Sequence, residues 1–129
     1  MPAKHSKRKG DARGVEVETA RNLILALPGI TEGRSYGFPS FLLEGRFFAR
    51  FRDDDTVLVL QLGTITDREV LMQLDPRACF FTEHYRNSPA VLIRLAEVAR
   101  PMLADALKVA WEEVSAQRAR RPHRTRPRR

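Results

Sequence analysis

The spacing of apolar positions changes several times along the chain, and each change marks an element. Val17, Ala20, Leu23, Ile24 and Leu27 recur at the i, i+3, i+4 spacing of one helix face, which predicts an amphipathic helix over 16–27. Pro28-Gly29 ends it, because Pro cannot continue a helix and Gly tolerates positive φ. From residue 38 the period falls to two. Residues 38–44 and 46–52 predict two strands around Glu44-Gly45, a hairpin turn signal. In the second strand, alternation puts Phe47, Ala49 and Phe51 on one face and Arg46, Phe48, Arg50 and Arg52 on the other. Asp53-Asp54-Asp55 predicts the next turn. Val57 to Leu62 is apolar on both faces and reads as a central third strand.

Thr66-Asp67-Arg68-Glu69 has the form of a capping box opening a short helix. Val70, Leu71 and Leu74 give that helix an apolar side, and Asp75-Pro76 stops it. Cys79-Phe80-Phe81 and Ala90 to Leu95 predict two further strands around the loop His84 to Pro89. Pro101 suits the first turn of a last helix. Its buried stripe is Leu103, Ala106, Leu107, Ala110, Trp111 and Val114. The order α-β-β-β-α-β-β-α predicts an α+β domain. It is an antiparallel sheet of about five strands with the N-terminal, middle and C-terminal helices packed on one face.

Charge then divides the chain. Residues 1–14 hold five Lys and Arg against one Asp, a net of +4. Residues 117–129 hold seven Arg and no acid, a net of +7. Residues 15–116 hold eleven Lys and Arg against fifteen Asp and Glu, a net of −4. The expected organisation is a basic disordered tail over 1–14, a folded domain over 15–116 and an Arg-rich disordered tail over 117–129. The overall basicity thus describes the ends and not the domain. One cysteine, Cys79, excludes an internal disulfide and fits a reducing, cytoplasmic setting. The basic N-terminus has no apolar stretch of a secretory signal, and no run approaches the ~18 apolar residues that span a bilayer. No membrane partner is expected.

The assembled segments resemble the MmcQ/YjbR family over about residues 17–114. They are Ala26 to Glu32, Tyr36 to Phe41, Gly45 to Arg50, Asp75-Pro76 with Phe80-Phe81, His84-Tyr85-Arg86 with Pro89 to Arg94, and Ala110-Trp111. The resemblance implies a CyaY/frataxin-like α+β fold and a DNA-binding role without a catalytic site. Arg46 stands where the family usually has Lys, which keeps the charge. Gln61 stands where a basic residue is common, which removes one. Both tails lie outside the resemblance.

Three constellations carry candidate chemistry. Arg46, Phe48, Arg50 and Arg52 share one predicted strand face, and Arg94 has the parity to join them. Arg binds phosphate and an exposed Phe stacks on an unpaired base. The alternative is a solvated face whose Arg residues pair with Glu44 or with the Asp53–Asp55 turn. Arg34, Tyr36, His84, Tyr85 and Arg86 lie on loops, where they could clasp a phosphate or carboxylate. The alternative there is that the tyrosines cover the sheet edge and His84 bonds the backbone. The C-terminal segment, with Arg118, Arg120, Arg121 and Arg124, is a dense basic arm of the kind that binds nucleic acid by counterion release, or else merely keeps the chain soluble.

No metal and no cofactor is expected. The Asp53–Asp55 turn lacks the ligand spacing of a calcium loop, and Cys79 with His84 offers only two soft ligands. No nucleophile–base pair or phosphate loop stands out. The sequence therefore predicts a non-enzymatic, monomeric DNA-binding protein. A small-ligand or protein-interaction module using the Tyr36/His84/Arg86 cleft is the second expectation.

Overall fold

The computed structural model describes residues 13–35 and 37–120, with the side chains of 118–120 left aside. It contains helix α1 (Val17–Leu25), strands β1 (Ile30–Ser35), β2 (Phe38–Leu43), β3 (Arg46–Arg52) and β4 (Val57–Gln61), and helix α2 (Ile65–Leu74). Strands β5 (Cys79–Phe80) and β6 (Ala90–Arg94) and helix α3 (Arg100–Arg120) follow, with a 3-10 turn over Glu83–Tyr85 between β5 and β6. All strand pairs are antiparallel, in the order β1-β2-β3-β4-β6-β5. The α+β class and the three helices are as the sequence predicts.

The core lies on one face of the sheet. Ala20 and Ile24 of α1 and Leu103, Ala106, Leu107, Ala110 and Val114 of α3 meet Phe41, Leu43, Phe48, Leu58, Leu60, Val91 and Ile93 there. Leu71 and Met72 bring α2 against the same cluster. Each large side chain buried here contributes roughly 1.5–3 kcal/mol. Trp111 is half-buried, and its Nε1 donates to the Pro28 carbonyl at 2.7 Å, tying the end of α1 to α3. Cys79 is buried, and that burial, reinforced by Asp75, pushes its thiol up to about 12. It is a packing residue without nucleophilic character.

The sheet has six strands where the sequence predicts about five. The extra strand is β1, Ile-Thr-Glu-Gly-Arg-Ser, which pairs along its length with β2 from Ile30↔Leu43 to Ser35↔Phe38. Only Ile30 is buried in it, so it carries no apolar alternation to detect. The hairpin between β2 and β3 turns on Glu44 and Gly45, both at positive φ, as a two-residue primed turn requires.

The N-cap of helix α2 lies two residues before the predicted one, Thr66. Thr64 is its N-cap, and its hydroxyl accepts from the Asp67 N–H at 3.1 Å. Thr64 competes with Thr66 for the cap, and the preceding Gly63 is pinned by α3. Glu113 accepts from the Gly63 N–H at 3.1 Å, and Gln117 Nε2 donates to its carbonyl at 3.0 Å. Helix α3 thus passes residue 116 and runs to Arg120, since Gln, Arg and Ala favour helix whatever their net charge.

At the other end, Arg13 and Gly14 are fixed to the domain although composition groups them with the N-terminal tail. Arg13 Nη1 reaches Asp75 at 3.2 Å and the Glu97 carbonyl at 2.7 Å, and the Gly14 N–H donates to Val98 at 2.8 Å. The rest of the predicted tails, residues 1–12 and 121–129, lies outside the described residues. Among the described residues no helix is long and apolar enough to cross a membrane.

Candidate functional site

The sheet face turned away from the helices carries a second, smaller apolar cluster. Val57, Val59, Ala90 and Leu92 form it, with Phe47, Phe80 and Tyr85 packed against them. Which side chains reach this face depends on an irregularity in β3. Phe41 pairs with Ala49, but Leu42 pairs with Phe47, so Phe48 is an extra residue between them. Such a bulge resets the alternation. Phe48 turns into the main core and is 0% exposed. Arg46 is opposite the core residue Leu43, on the helix side at the end of the sheet. Phe47, Arg50 and Arg52 take the outer face. The predicted set Arg46, Phe48, Arg50 and Arg52 is therefore split, and Phe48 cannot stack on a ligand.

Two rows of partners cross the outer face. Arg50, Val59, Leu92 and Phe80 form one, and Arg52, Val57 and Arg94 form the other. Arg94 joins this face as the sequence suggests. Its guanidinium lies 4.0 Å from the Phe80 ring centroid and donates to the Arg77 carbonyl at 2.9 Å. Arg52 pairs with Asp53 at 3.3 Å. Arg50 lies 4.7 Å from the centroid of Phe38 and makes a long 3.4 Å contact to the Phe51 carbonyl. A ring and a carbonyl leave its charge uncancelled.

Phe38 opens β2 and is 52% exposed. With Phe47, Arg50, Gln61, Ser35, His84, Tyr85 and Ser88 it lines a depression of about 670 Å³. A second depression, of about 710 Å³, shares Phe38, Arg50, His84 and Tyr85 and extends over Arg52 to the Asp53–Asp55 turn. Two loops therefore meet across the outer face, one ending on Phe38 and the other on His84 and Tyr85.

The far wall is built on a residue the sequence does not single out. Arg68 of α2 is 3% exposed. Its Nη1 donates to the carbonyls of Tyr85 at 2.8 Å and Ser88 at 2.9 Å, and its Nη2 to that of Arg86 at 3.2 Å. The Phe81 ring centroid is 4.0 Å from its guanidinium carbon. The segment 82–89 has only one helical turn, so some of its carbonyls need donors from elsewhere. Arg68 serves those of Arg86 and Ser88 and adds a second donor to that of Tyr85, which also accepts from the Ser88 N–H at 3.0 Å. A basic residue inside a capping-box pattern reads as solvent-facing, which hides this role. Tyr85 is held with its ring on the outer cluster and edge-to-face with His84, centroids 4.8 Å apart.

The loop set of the sequence is only partly brought together. His84 and Tyr85 enter the depression. Arg34 bonds back to the Gly37 carbonyl at 2.6 Å and closes the β1–β2 turn. Arg86 pairs with Glu83 at 2.6 Å, and that carboxylate raises the guanidinium pKa above its ordinary value. Neither Arg34 nor Arg86 lines the depression. Tyr36, Arg121 and Arg124 lie outside the described residues, as do the side chains of Arg118 and Arg120. Phe38 was legible only as part of a motif, because a lone aromatic beside Pro39 at a strand end carries no periodic signal. No group of three or more metal-ligating side chains occurs among the described residues. No protein family, curated protein or solved structure matches the chain.

Proposed function

We propose that the chain is a DNA-binding protein of the MmcQ/YjbR type, a non-enzymatic, monomeric, cytoplasmic module that contacts phosphate largely without regard to sequence. The observation that carries this is the concave outer sheet face, where Phe38, Arg50, His84 and Tyr85 combine aromatic rings with a cation. Arg52 and Arg94 extend the cationic side of that face along the neighbouring row. The basic chain ends enter through their charge alone, with seven Arg in residues 117–129.

The face is not uniformly positive. Asp53, Asp54 and Asp55 border it, and Arg52 is engaged by the first of them. A rigid duplex laid across the sheet would meet this acidic tip. The domain therefore supplies a local contact, and the chain ends supply most of the long-range attraction.

The test is a titration of the full chain with DNA across a range of salt. If the C-terminal Arg side chains neutralise about seven phosphates, log K falls against log salt with a slope of about −6 for duplex DNA. Absence of binding at ~50 mM salt, where such contacts are strong, contradicts the proposal.

A further inference from the structure

We propose that the depression between Phe38, Arg50 and the His84–Tyr85 turn holds one unpaired nucleobase with its phosphate, so that the domain prefers single-stranded over duplex DNA. This rests on the DNA-binding role above but has its own test. Three features of the site point the same way.

The first is the aromatic surface. More than half of Phe38 is exposed, so part of its ring is accessible to a ligand. In a duplex the flat faces of the bases are covered by their neighbours, and only their edges reach the grooves. A ring on a concave sheet surface reaches a base face only when that base is unstacked.

The second is the placement of charge. The Arg50 guanidinium lies over one face of the Phe38 ring, 4.7 Å from its centroid, so a base stacks on the opposite face. A base stacked there brings its own phosphate within reach of a guanidinium not held by a carboxylate. Asp53, Asp54 and Asp55 line the same surface as Arg50 and His84, whereas Phe47, Gln61 and Ser88 line only the part without them. The strand therefore leaves Arg50 toward Phe47 and Gln61, away from the β3–β4 turn.

The third is the polar lining. Gln61, Ser35 and Ser88 border the depression together with the rings. They offer donors and acceptors to the edge of a bound base. Gln61 is held through its Nε2 to the Leu62 carbonyl at 3.2 Å, which leaves its side-chain oxygen to accept.

The experiment uses the full chain. NMR shifts are followed on addition of 2′-deoxyadenosine 5′-monophosphate and, separately, inorganic phosphate. Affinity for a short single strand and for a hairpin duplex of the same composition is measured for the wild type, Phe38→Ala and Phe38→Trp. The expected result is nucleotide-induced shifts centred on Phe38, Arg50, His84 and Tyr85, larger than those from phosphate alone. Phe38→Ala is expected to weaken single-strand binding by about 5- to 150-fold, the range for losing one base stack, and duplex binding by much less. Phe38→Trp restores it, and the new indole is quenched by the single strand.

Shifts confined to other surfaces, shifts no larger than those from phosphate, or equal losses on single strand and duplex overturn the inference. DNA binding that ignores Phe38→Ala leaves the proposed function standing on the chain ends and removes this site. Nucleotide binding at Phe38 without any DNA binding does the reverse: it upholds the base site and removes the DNA-binding role.

Discussion

Arg68 Nη1 donates to the Tyr85 carbonyl at 2.8 Å across seventeen residues of chain. This bond and its companions to Arg86 and Ser88 fix the turn that forms one wall of the outer-face depression. Arg68→Met would fill similar space but leave the Arg86 and Ser88 carbonyls without a donor among the described residues, while the Tyr85 carbonyl keeps the Ser88 N–H. A loss of ~2–4 kcal/mol in chemical denaturation is expected. Arg68→Lys should recover part of it, since a single ammonium can serve some of the carbonyls but lacks the fork. An unchanged denaturation midpoint for Arg68→Met would show that the loop does not depend on this side chain.

The bulge in β3 makes an equally sharp contrast between two phenylalanines. Phe48 is fully buried and Phe38 half-exposed. Phe48→Ala is expected to cost ~3–5 kcal/mol, whereas Phe38→Ala should change stability by under ~1 kcal/mol. Had simple alternation held, Phe48 would be the solvent-facing ring and its truncation would be mild. Urea denaturation of the two variants decides between the two registers.

This contrast shows where sequence and structure part. The helix periodicities, the Glu44-Gly45 hairpin and the central strand at Val57 were legible because each rests on a local pattern. The bulge was not, because it is set by the pairing of Phe41 and Leu42 on the neighbouring strand. Strand β1 escaped because an edge strand with one buried residue has nothing apolar to alternate. Of the site, Arg50, Arg52, Arg94, His84 and Tyr85 could be named in advance. Phe38 and Arg68 could not, since their roles arise from contacts to segments twelve to twenty residues away.

Glu113 supplies a pH dependence. Its carboxyl pKa is raised above the ordinary 4.5, first by a hydrogen bond to Asp67, then by burial and by the Asp67 charge, with the Gly63 N–H opposing. Asp67 Oδ2 is buried with no hydrogen-bond partner among the described residues, and a protonated Glu113 carboxyl can donate to Asp67. The folded state binds that proton more tightly than the unfolded chain. The contribution is therefore complete below pH 4.5 and is lost as pH rises through the raised folded value. Glu113→Gln keeps an acceptor for Gly63 and a donor for Asp67 at every pH. Relative to this variant, the wild type should lose stability as pH rises above 4.5, read from urea midpoints. A wild-type-minus-variant difference that stays flat with pH would contradict the raised Glu113 value.

The Asp53–Asp55 turn should oppose nucleic acid. All three residues have positive φ, a conformation that Asn also tolerates. The double variant Asp54→Asn, Asp55→Asn should keep the turn and raise single-strand affinity about two- to fivefold at ~50 mM salt. The gain should fade toward ~0.5 M as screening shortens its reach. A gain that persists at high salt would point to a conformational cause.

The proposed DNA contact lies on the outer sheet face and not only on the basic chain ends. The most direct measurement is an NMR map of the full chain with a short single-stranded oligonucleotide at ~200 mM salt, where counterion-release attraction of the ends is much reduced. Shifts are expected at Phe38, Phe47, Arg50, His84 and Tyr85. Shifts restricted to residues 1–12 and 121–129 would contradict it.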